Sequence, residues 1–255
     1  MTHSPELRAA LDAAHAAADI ARSLYQRNLA VRIKADKSPV TEADVQCEIA
    51  IRDILQSRFP DYGFYGEETG AHSMESSNLW LVDPIDGTKA FVREYPMFST
   101  QIALMREGRV VLGVSSAPVY GEIAYAQAGH GAFLNGQPMR VSGIDTLSAA
   151  ALSAGNLKTL ASGPQWSRYG SLVAQVSRIR GYGDFLHYHL LAAGKIDAVI
   201  ESDVNILDIA ALVAIVTEAG GVFTQLDGAA VSLDSTTVLA ANQALHPQIL
   251  AAMTG

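Results

Sequence analysis

Residues 79–91 restrict the fold more than any other stretch. Leu79-Trp80-Leu81-Val82 is an apolar run that stops at Asp83-Pro84-Ile85-Asp86-Gly87-Thr88. The run reads as a buried strand. Two carboxylates at its mouth, separated by a proline, repel unless something positive sits between them. Gly87-Thr88 can open a helix whose free N–H groups favour an anion. The simplest occupant is a metal ion between the carboxylates with a phosphate at the helix end. Such a strand needs a large core. With 255 residues, 49% of them hydrophobic, the chain suits one big domain or two closely packed halves.

Charge narrows the function. Lys+Arg number 18 against 26 Asp+Glu, a formal net charge of −8, with no basic stripe. Nucleic acid is therefore not an expected partner. An acidic chain that binds phosphate needs local compensation, and a divalent cation supplies it. The single cysteine, Cys47, rules out an intrachain disulfide framework and fits a reducing cytoplasm. The N-terminus lacks the basic start and apolar core of a signal peptide, and no apolar run approaches membrane-spanning length. A cytoplasmic protein with no membrane partner is expected.

Along the chain, residues 5–28 predict an amphipathic helix with Leu7, Leu11, Ala14, Ala18, Ala21 and Leu24 on its apolar side. Residues 30–40 break the pattern. Thr41-Glu42-Ala43-Asp44 resembles a capping box opening a second helix to about Arg58, with Val45, Ile49 and Ile54 as its apolar residues. Read locally, Asp44 is a capping carboxylate and Lys34 a solvated loop charge. Gly63–Gly66 predicts a short strand into Glu67-Glu68, and residues 71–78 a polar loop. Ser99–Met105 and Val110–Ala117 predict a hairpin, Ile123–Ala126 a third strand, and Asn135-Gly136 a tight turn. After residue 145 strands and helices alternate, which implies an α/β layer. Asp208 opens an apolar helix and by itself reads as its N-cap. His187 and His189, two apart on a helix, point about 200° apart and form no metal pair.

The segments combine. Gly66-Glu67-Glu68, Asp83 to Thr88, Asp208-Ile209-Ala210-Ala211 and Glu218-Ala219-Gly220-Gly221 occur in that order, preceded by Val40-Thr41-Glu42-Ala43-Asp44. Over nearly the whole chain this resembles the inositol monophosphatase superfamily of magnesium-dependent, lithium-sensitive phosphatases. The resemblance implies an alternating α-β-α-β-α sandwich, in the α/β (α+β layered) class, of the inositol monophosphatase/fructose-1,6-bisphosphatase type. It implies one catalytic unit of two packed halves, residues 1–145 and 146–255. Glu67, Asp83, Asp86 and Asp208 match the metal-ligand carboxylates, and Ile85 the position that offers its carbonyl to Mg²⁺, two or three ions per site. Asp44 matches a residue that helps hold a weaker metal and supports Thr88. Glu68 belongs behind the ligands. The implied chemistry is attack of a metal-activated water, positioned by Glu67 and Thr88, on a phosphate monoester, with Gly87 and Thr88 N–H groups on the phosphate. Lys34 is placed near that phosphate. A homodimer is implied by resemblance alone.

Specificity lies elsewhere. Lys89 follows Gly-Thr where inositol phosphatases usually have Thr-Asn. Gly181-Tyr182-Gly183-Asp184 and Glu201 complete a combination similar to the histidinol-phosphate phosphatases of the superfamily. Histidinol phosphate carries an ammonium and an imidazole, which Glu201 and Asp184 can pair with. Asp184 can equally be the N-cap of the helix it opens. Inositol monophosphate or broad sugar-phosphate hydrolysis is the first alternative. The second is 3′-phosphoadenosine 5′-phosphate, which Lys89 keeps open. Leu207 stands where many members have Trp, which changes the neighbouring pocket. A catalytically silent relative that binds a phosphorylated metabolite or a partner protein is the non-enzyme alternative. The intact carboxylates and Thr88 favour the enzyme.

Overall fold

Ser4 caps the first helix, α1 (Pro5–Leu24), by accepting the Leu7 N–H at 3.0 Å, and Pro5 occupies its first turn. The helix ends a turn earlier than its sequence pattern predicts, because Tyr25 is extended. The computed structural model describes residues 3–27, 30–33 and 39–255; Lys34 lies outside the described residues. Two short strands, β1 (Arg32–Ile33) and β2 (Pro39–Val40), pair antiparallel and lead to α2 (Glu42–Arg58). The Thr41/Asp44 capping box is present. The buried face of α2 is Ala43, Asp44, Cys47, Glu48, Ile51 and Leu55, and Ile49 is 40% exposed. The apolar pattern misled here because two hydrogen-bonded carboxylates share the buried face. Small residues let α1 lie close to α2, and the Cys47 thiol donates to the Ala17 carbonyl at 3.4 Å.

The large sheet contains β3 (Gly63–Gly66), β4 (Gly70–His72) and β5 (Asn78–Asp86), then, after α3 (Thr88–Val92), β6 (Ser99–Arg106), β7 (Arg109–Ala117), β8 (Glu122–Gln127), β9 (Ala132–Leu134) and β10 (Gln137–Met139). Its order is β10-β9-β8-β7-β6-β5-β3-β4, and only β3 and β5 run parallel. The hairpin and the Asn135-Gly136 turn lie where they are predicted; β4 occupies part of the predicted polar loop.

The rest of the chain forms β11 (Ala151–Ala154), α4 (Lys158–Ser162), α5 (Trp166–Val173), β12 (Arg178–Arg180), α6 (Asp184–Ala192), β13 (Ala198–Ser202), α7 (Ile206–Glu218), β14 (Gly221–Thr224), β15 (Thr237–Asn242) and α8 (His246–Thr254). The second sheet has the order β12-β11-β13-β15-β14, parallel from β12 to β13 and antiparallel beyond.

Among the described residues, three apolar cores define five layers. Ala10, Ala14, Ile51 and Leu55 of the first two helices pack on Trp80, Val82 and Leu104 of the large sheet. Between the sheets, Leu191, Ile209, Leu212 and Ile215 of α6 and α7 meet Leu81, Met105, Val199 and Val238. Leu160, Leu172, Ile249 and Met253 cover the far side of the small sheet. This is the expected α-β-α-β-α sandwich. The helix α7 is apolar almost all round, as a helix buried between layers must be. It lies directly on β7: a Cβ on Gly113 would stand 2.2 Å from the Ala211 carbonyl oxygen. In the same helix Asp208, in the first turn of α7, lies beside Asp83 and Asp86 at the end of β5. Among the described residues no helix is long and apolar enough to cross a membrane.

Candidate functional site

Along β5, side chains alternate. Leu79 and Leu81 face the inter-sheet core, whereas Trp80 and Val82 face α1 and α2. Two aspartates three apart would then lie on opposite faces. The register shifts between Asp83, which pairs with Gln101, and Asp86, which pairs with Ser99. Pro84 has no N–H to give the ladder, and a bulge is where a strand tolerates it. Asp83 Oδ1 accepts the Ile85 N–H at 3.0 Å, and Thr100 donates to the Pro84 carbonyl at 2.9 Å. The bulge moves Ile85 to the α1/α2 face and returns Asp86 to the side of Asp83.

Asp208 joins them from the first turn of α7. It is not the N-cap: Asn205 caps the helix, and Asp208 reciprocates from the third helical position, accepting the Asn205 N–H at 2.8 Å and side-chain amide at 2.7 Å. Asp83, Asp86 and Asp208 each offer a carboxylate oxygen within 4.8 Å of the others. Burial, then the charges of Glu67, Asp86 and Asp208 and a hydrogen bond with Glu67, raise Asp83 well above the usual carboxylate range. Burial and the charges of Asp184, Asp208 and Glu201 do the same for Asp86. Asp208 is pushed up to about 7, again by burial first, with Glu67 and Glu201 adding to it and the Asn205 backbone hydrogen bond opposing it. Among the described residues no lysine or arginine forms an ion pair with these three aspartates. Hard oxygen donors under mutual repulsion fit a hard divalent cation, so this cluster can hold a metal ion.

Asp44 stands behind the cluster rather than in it. Its Oδ2 accepts the Thr41 N–H at 2.8 Å and hydroxyl at 2.6 Å, and Oδ1 lies 3.0 Å from the Thr88 hydroxyl. Asp44 is thus both a capping residue and a partner of Thr88. The Thr88 hydroxyl also lies 3.1 Å from the Ile85 carbonyl, so its one proton is committed to these acceptors and a lone pair stays available. Gly87 precedes it at φ 91°, where an added Cβ would meet the Met97 carbonyl at 2.5 Å.

Glu67 and Glu68 form the turn after β3, with the Glu67 N–H on the Val82 carbonyl at 3.2 Å. That turn rests on Glu48, which the sequence reading passed over. Fully buried on α2, Glu48 accepts the N–H groups of Glu68 at 2.8 Å and Thr69 at 2.7 Å. Its position four residues after Asp44, on one helix face, is the signal that could have found it.

The second half supplies the other wall. Glu201, at the end of β13, is buried; its Oε2 accepts the Tyr188 hydroxyl at 2.8 Å and lies 3.1 Å from His187 Nε2, and Oε1 accepts the Asn156 N–H at 3.1 Å. Burial raises it, but His187 and these hydrogen bonds more than offset that, and its carboxyl sits below the usual range. Asp184 is the first residue of α6, with Gly183 at the cap position, so the N-cap reading of Asp184 does not hold. It adopts φ 45°, a left-handed conformation costly for a residue with a Cβ. Burial and the charge of Glu201, opposed by His187, push it up to about 6. His187 and His189 do point apart: His189 meets Glu122 and Ser115 instead. Lys89 is exposed on α3, and Leu207 is buried in the inter-sheet core.

The profile of the inositol monophosphatase family matches residues 3–254. The histidinol-phosphatase of Mycobacterium tuberculosis is 39% identical over 256 residues, covering 98% of each chain. The inositol-1-monophosphatase of Mesorhizobium japonicum is 34% identical, covering 89% of this chain and 87% of that one. The crystal structure of the extragenic suppressor protein suhB from Bartonella henselae superposes with a TM-score of 0.90 at 31% identity, covering 98% of both chains.

Proposed function

The chain belongs to the inositol monophosphatase family, and from that premise we propose that it is a phosphoric monoester hydrolase whose substrate is L-histidinol phosphate, released as L-histidinol and phosphate. The observation that carries this reading is the pair Asp184 and Glu201. Both stand near enough to Asp86 for their charges to raise it. Two carboxylates beside the metal cluster suit a substrate with a phosphate at one end and cationic groups at the other. The 39% identity to a histidinol-phosphatase supports it.

In this reading Glu67, Asp83, the Ile85 carbonyl, Asp86 and Asp208 hold Mg²⁺, two or three ions, with Glu68 behind them. When bound, the cation would neutralise charge on the phosphate and make a water beside it easier to deprotonate. Gly87 and Thr88 N–H groups take phosphate oxygens. The Thr88 hydroxyl, its proton turned toward Asp44 and Ile85, accepts a hydrogen bond from the attacking water, and Glu67 accepts the proton that water releases. The water oxygen bonds to phosphorus opposite the ester oxygen; the P–O ester bond breaks, and the leaving oxygen takes a proton from solvent to become the hydroxyl of histidinol. Residues 1–145 and 146–255 act as one catalytic unit, because neither half alone contains the whole carboxylate set. Homodimer assembly, lithium sensitivity and a cytoplasmic location complete the reading.

A second reading, hydrolysis of myo-inositol 1-phosphate, has the support of the 34% identical inositol-1-monophosphatase. Phosphate release at saturating Mg²⁺ separates the two. The panel is L-histidinol phosphate, myo-inositol 1-phosphate, 3′-phosphoadenosine 5′-phosphate and fructose 1,6-bisphosphate. Histidinol phosphate is expected to have the highest kcat/KM, and any other order overturns the substrate assignment. No turnover at all, with Asp86→Asn indistinguishable from the parent, overturns the enzyme.

A further inference from the structure

A line of polar side chains runs from Asp86 away from the mouth and across the large sheet. Ser99 Oγ, on β6, lies 3.2 Å from Asp86 Oδ2. Gln101, two residues on, places Nε2 2.7 Å from Ser99 Oγ and 3.1 Å from Ser115 Oγ on β7, its direct cross-strand partner. Ser115 Oγ is 2.9 Å from His189 Nε2 on α6, and His189 Nδ1 is 2.9 Å from Glu122 Oε2 at the start of β8. Ser99, Gln101, Ser115 and His189 are all 2% exposed or less, whereas the Glu122 side chain is 27% exposed.

With Asp86 ionised, as a metal ligand must be, donors and acceptors run in one direction along this line. A carboxylate only accepts. Ser99 therefore gives its one proton to the Asp86 carboxylate. At the other end, with His189 in its Nδ1–H tautomer, Nδ1 donates to Glu122 and Nε2 accepts the Ser115 proton. Each serine, its proton committed outward, must accept from the centre. A primary amide offers two N–H groups on one nitrogen, and Gln101 Nε2 serves both serines. With the amide turned the other way, its oxygen would compete for both hydroxyl protons and break the bond to Asp86. The orientation has a visible cost: Gln101 Oε1 is buried with no partner among the described residues. A buried acceptor is left unmade only where the rest of the group is held, and the two serines hold it.

We propose that Gln101, acting through Ser99, is a positioning residue for Asp86. It keeps the carboxylate turned toward Asp83 and Asp208 and so strengthens divalent-cation binding, with Glu122 and His189 setting the direction of the line from its outer end. The proposal rests on the reading of Asp86 as a metal ligand.

Titration calorimetry of Mn²⁺ into the metal-free full chain tests it. Ser99→Ala and Gln101→Leu are each expected to weaken binding about tenfold, the lower end for residues that orient a metal ligand. The double variant should bind no more weakly than Ser99→Ala alone, because both changes act through one bond to Asp86. Glu122→Gln should weaken binding less, and not at all in the Ser99→Ala background. Ser99→Ala removes one hydroxyl and keeps the fold if Gln101→Leu does not; its metal-free melting temperature, within a few degrees of the parent, separates positioning from unfolding. Ser99→Ala binding within about twofold of the parent, or losses that multiply in the double variant, would overturn the proposal. Asp86→Asn is the control: undiminished Mn²⁺ binding there overturns the metal-site reading instead.

Discussion

Oε2 of Glu201 lies 3.1 Å from Nε2 of His187, which is fully buried, while 4% of the Glu201 side chain stays exposed. The Tyr188 hydroxyl and the Asn156 N–H take two further lone-pair positions of the same carboxylate. A carboxylate has about four such positions, so one is left for a substrate cation. A charge-assisted hydrogen bond is worth about 1.5–3 kcal/mol. Glu201→Gln should therefore cost roughly tenfold or more in kcat/KM for L-histidinol phosphate, and less for myo-inositol 1-phosphate. Equal losses on the two substrates would remove the charge-pairing role. His187→Phe acts on stability instead: it takes one hydrogen-bond partner from a buried carboxylate, a loss of about 1–3 kcal/mol, read as a fall in Tm.

Asp184 combines a left-handed backbone with a carboxyl pushed up to about 6. Both features weaken the fold and are relieved by glycine. Asp184→Gly is expected to raise Tm by a few degrees, since about 1 kcal/mol corresponds to roughly 2–4 °C in a chain of this size. Activity on histidinol phosphate should fall in the same variant. A thermal melt beside the phosphate-release assay checks it; a lower Tm with unchanged activity is the opposing result.

The carboxylate cluster makes the metal-free protein sensitive to pH. Asp83 and Asp86 are raised well above their ordinary values, and Asp208 to about 7. Each binds its proton more tightly folded than unfolded, where aspartate titrates near about 3.9. Their contribution is present in full below that value and is lost as pH rises through the folded values. The metal-free Tm should therefore fall between about pH 5 and about pH 8. Saturating Mg²⁺ should flatten the profile, and binding near about pH 6 should release protons. Melts across this range with and without Mg²⁺, and calorimetry in two buffers of different ionisation enthalpy, measure both effects. A metal-free Tm that rises with pH would contradict this account.

Glu48 carries the turn that presents Glu67. Glu48→Ala leaves two N–H groups without their acceptor, each worth about 1–3 kcal/mol if it stays buried. The turn is partly exposed and water can reach part of it, so the expected loss is nearer about 1–2 kcal/mol. Divalent-cation affinity should fall beyond that stability change, because Glu67 loses its support. Glu48→Gln, which keeps one acceptor oxygen, should lie between alanine and the parent in both Tm and Mn²⁺ affinity. Unchanged affinity in Glu48→Ala would show that the turn holds Glu67 by itself.

Local relations are legible in the sequence. The Thr41/Asp44 box, the strand that ends at Asp83, the hairpin between β6 and β7 and the Asn135-Gly136 turn each span a few residues, and the chemistry that sets them lies inside that span. Where the reading missed, a distant partner had changed the meaning of a residue. Ile49 looked like core and is exposed, because Asp44 and Glu48 take the buried face of α2 to reach Thr88 and the Glu68 N–H. Asp208 looked like a cap and is the reciprocal partner of one, Asn205, three residues earlier.

By itself the sequence showed the strand–helix alternation of the second half and the ordered motifs that carry the family resemblance; the layered sandwich and the candidate carboxylates came with that resemblance. Only the tertiary structure decided which carboxylates share a face and which groups hold them there. A strand bulge places Asp86 beside Asp83, a helix laid against Gly113 carries Asp208 over the end of β5, and Glu201 meets a histidine fourteen positions away while Asp86 connects through Gln101 to His189. Periodicity assigns a residue to a face within its own element. Which element covers that face, and which buried donor then finds which acceptor, is settled when the layers pack and every desolvated polar group must find a partner.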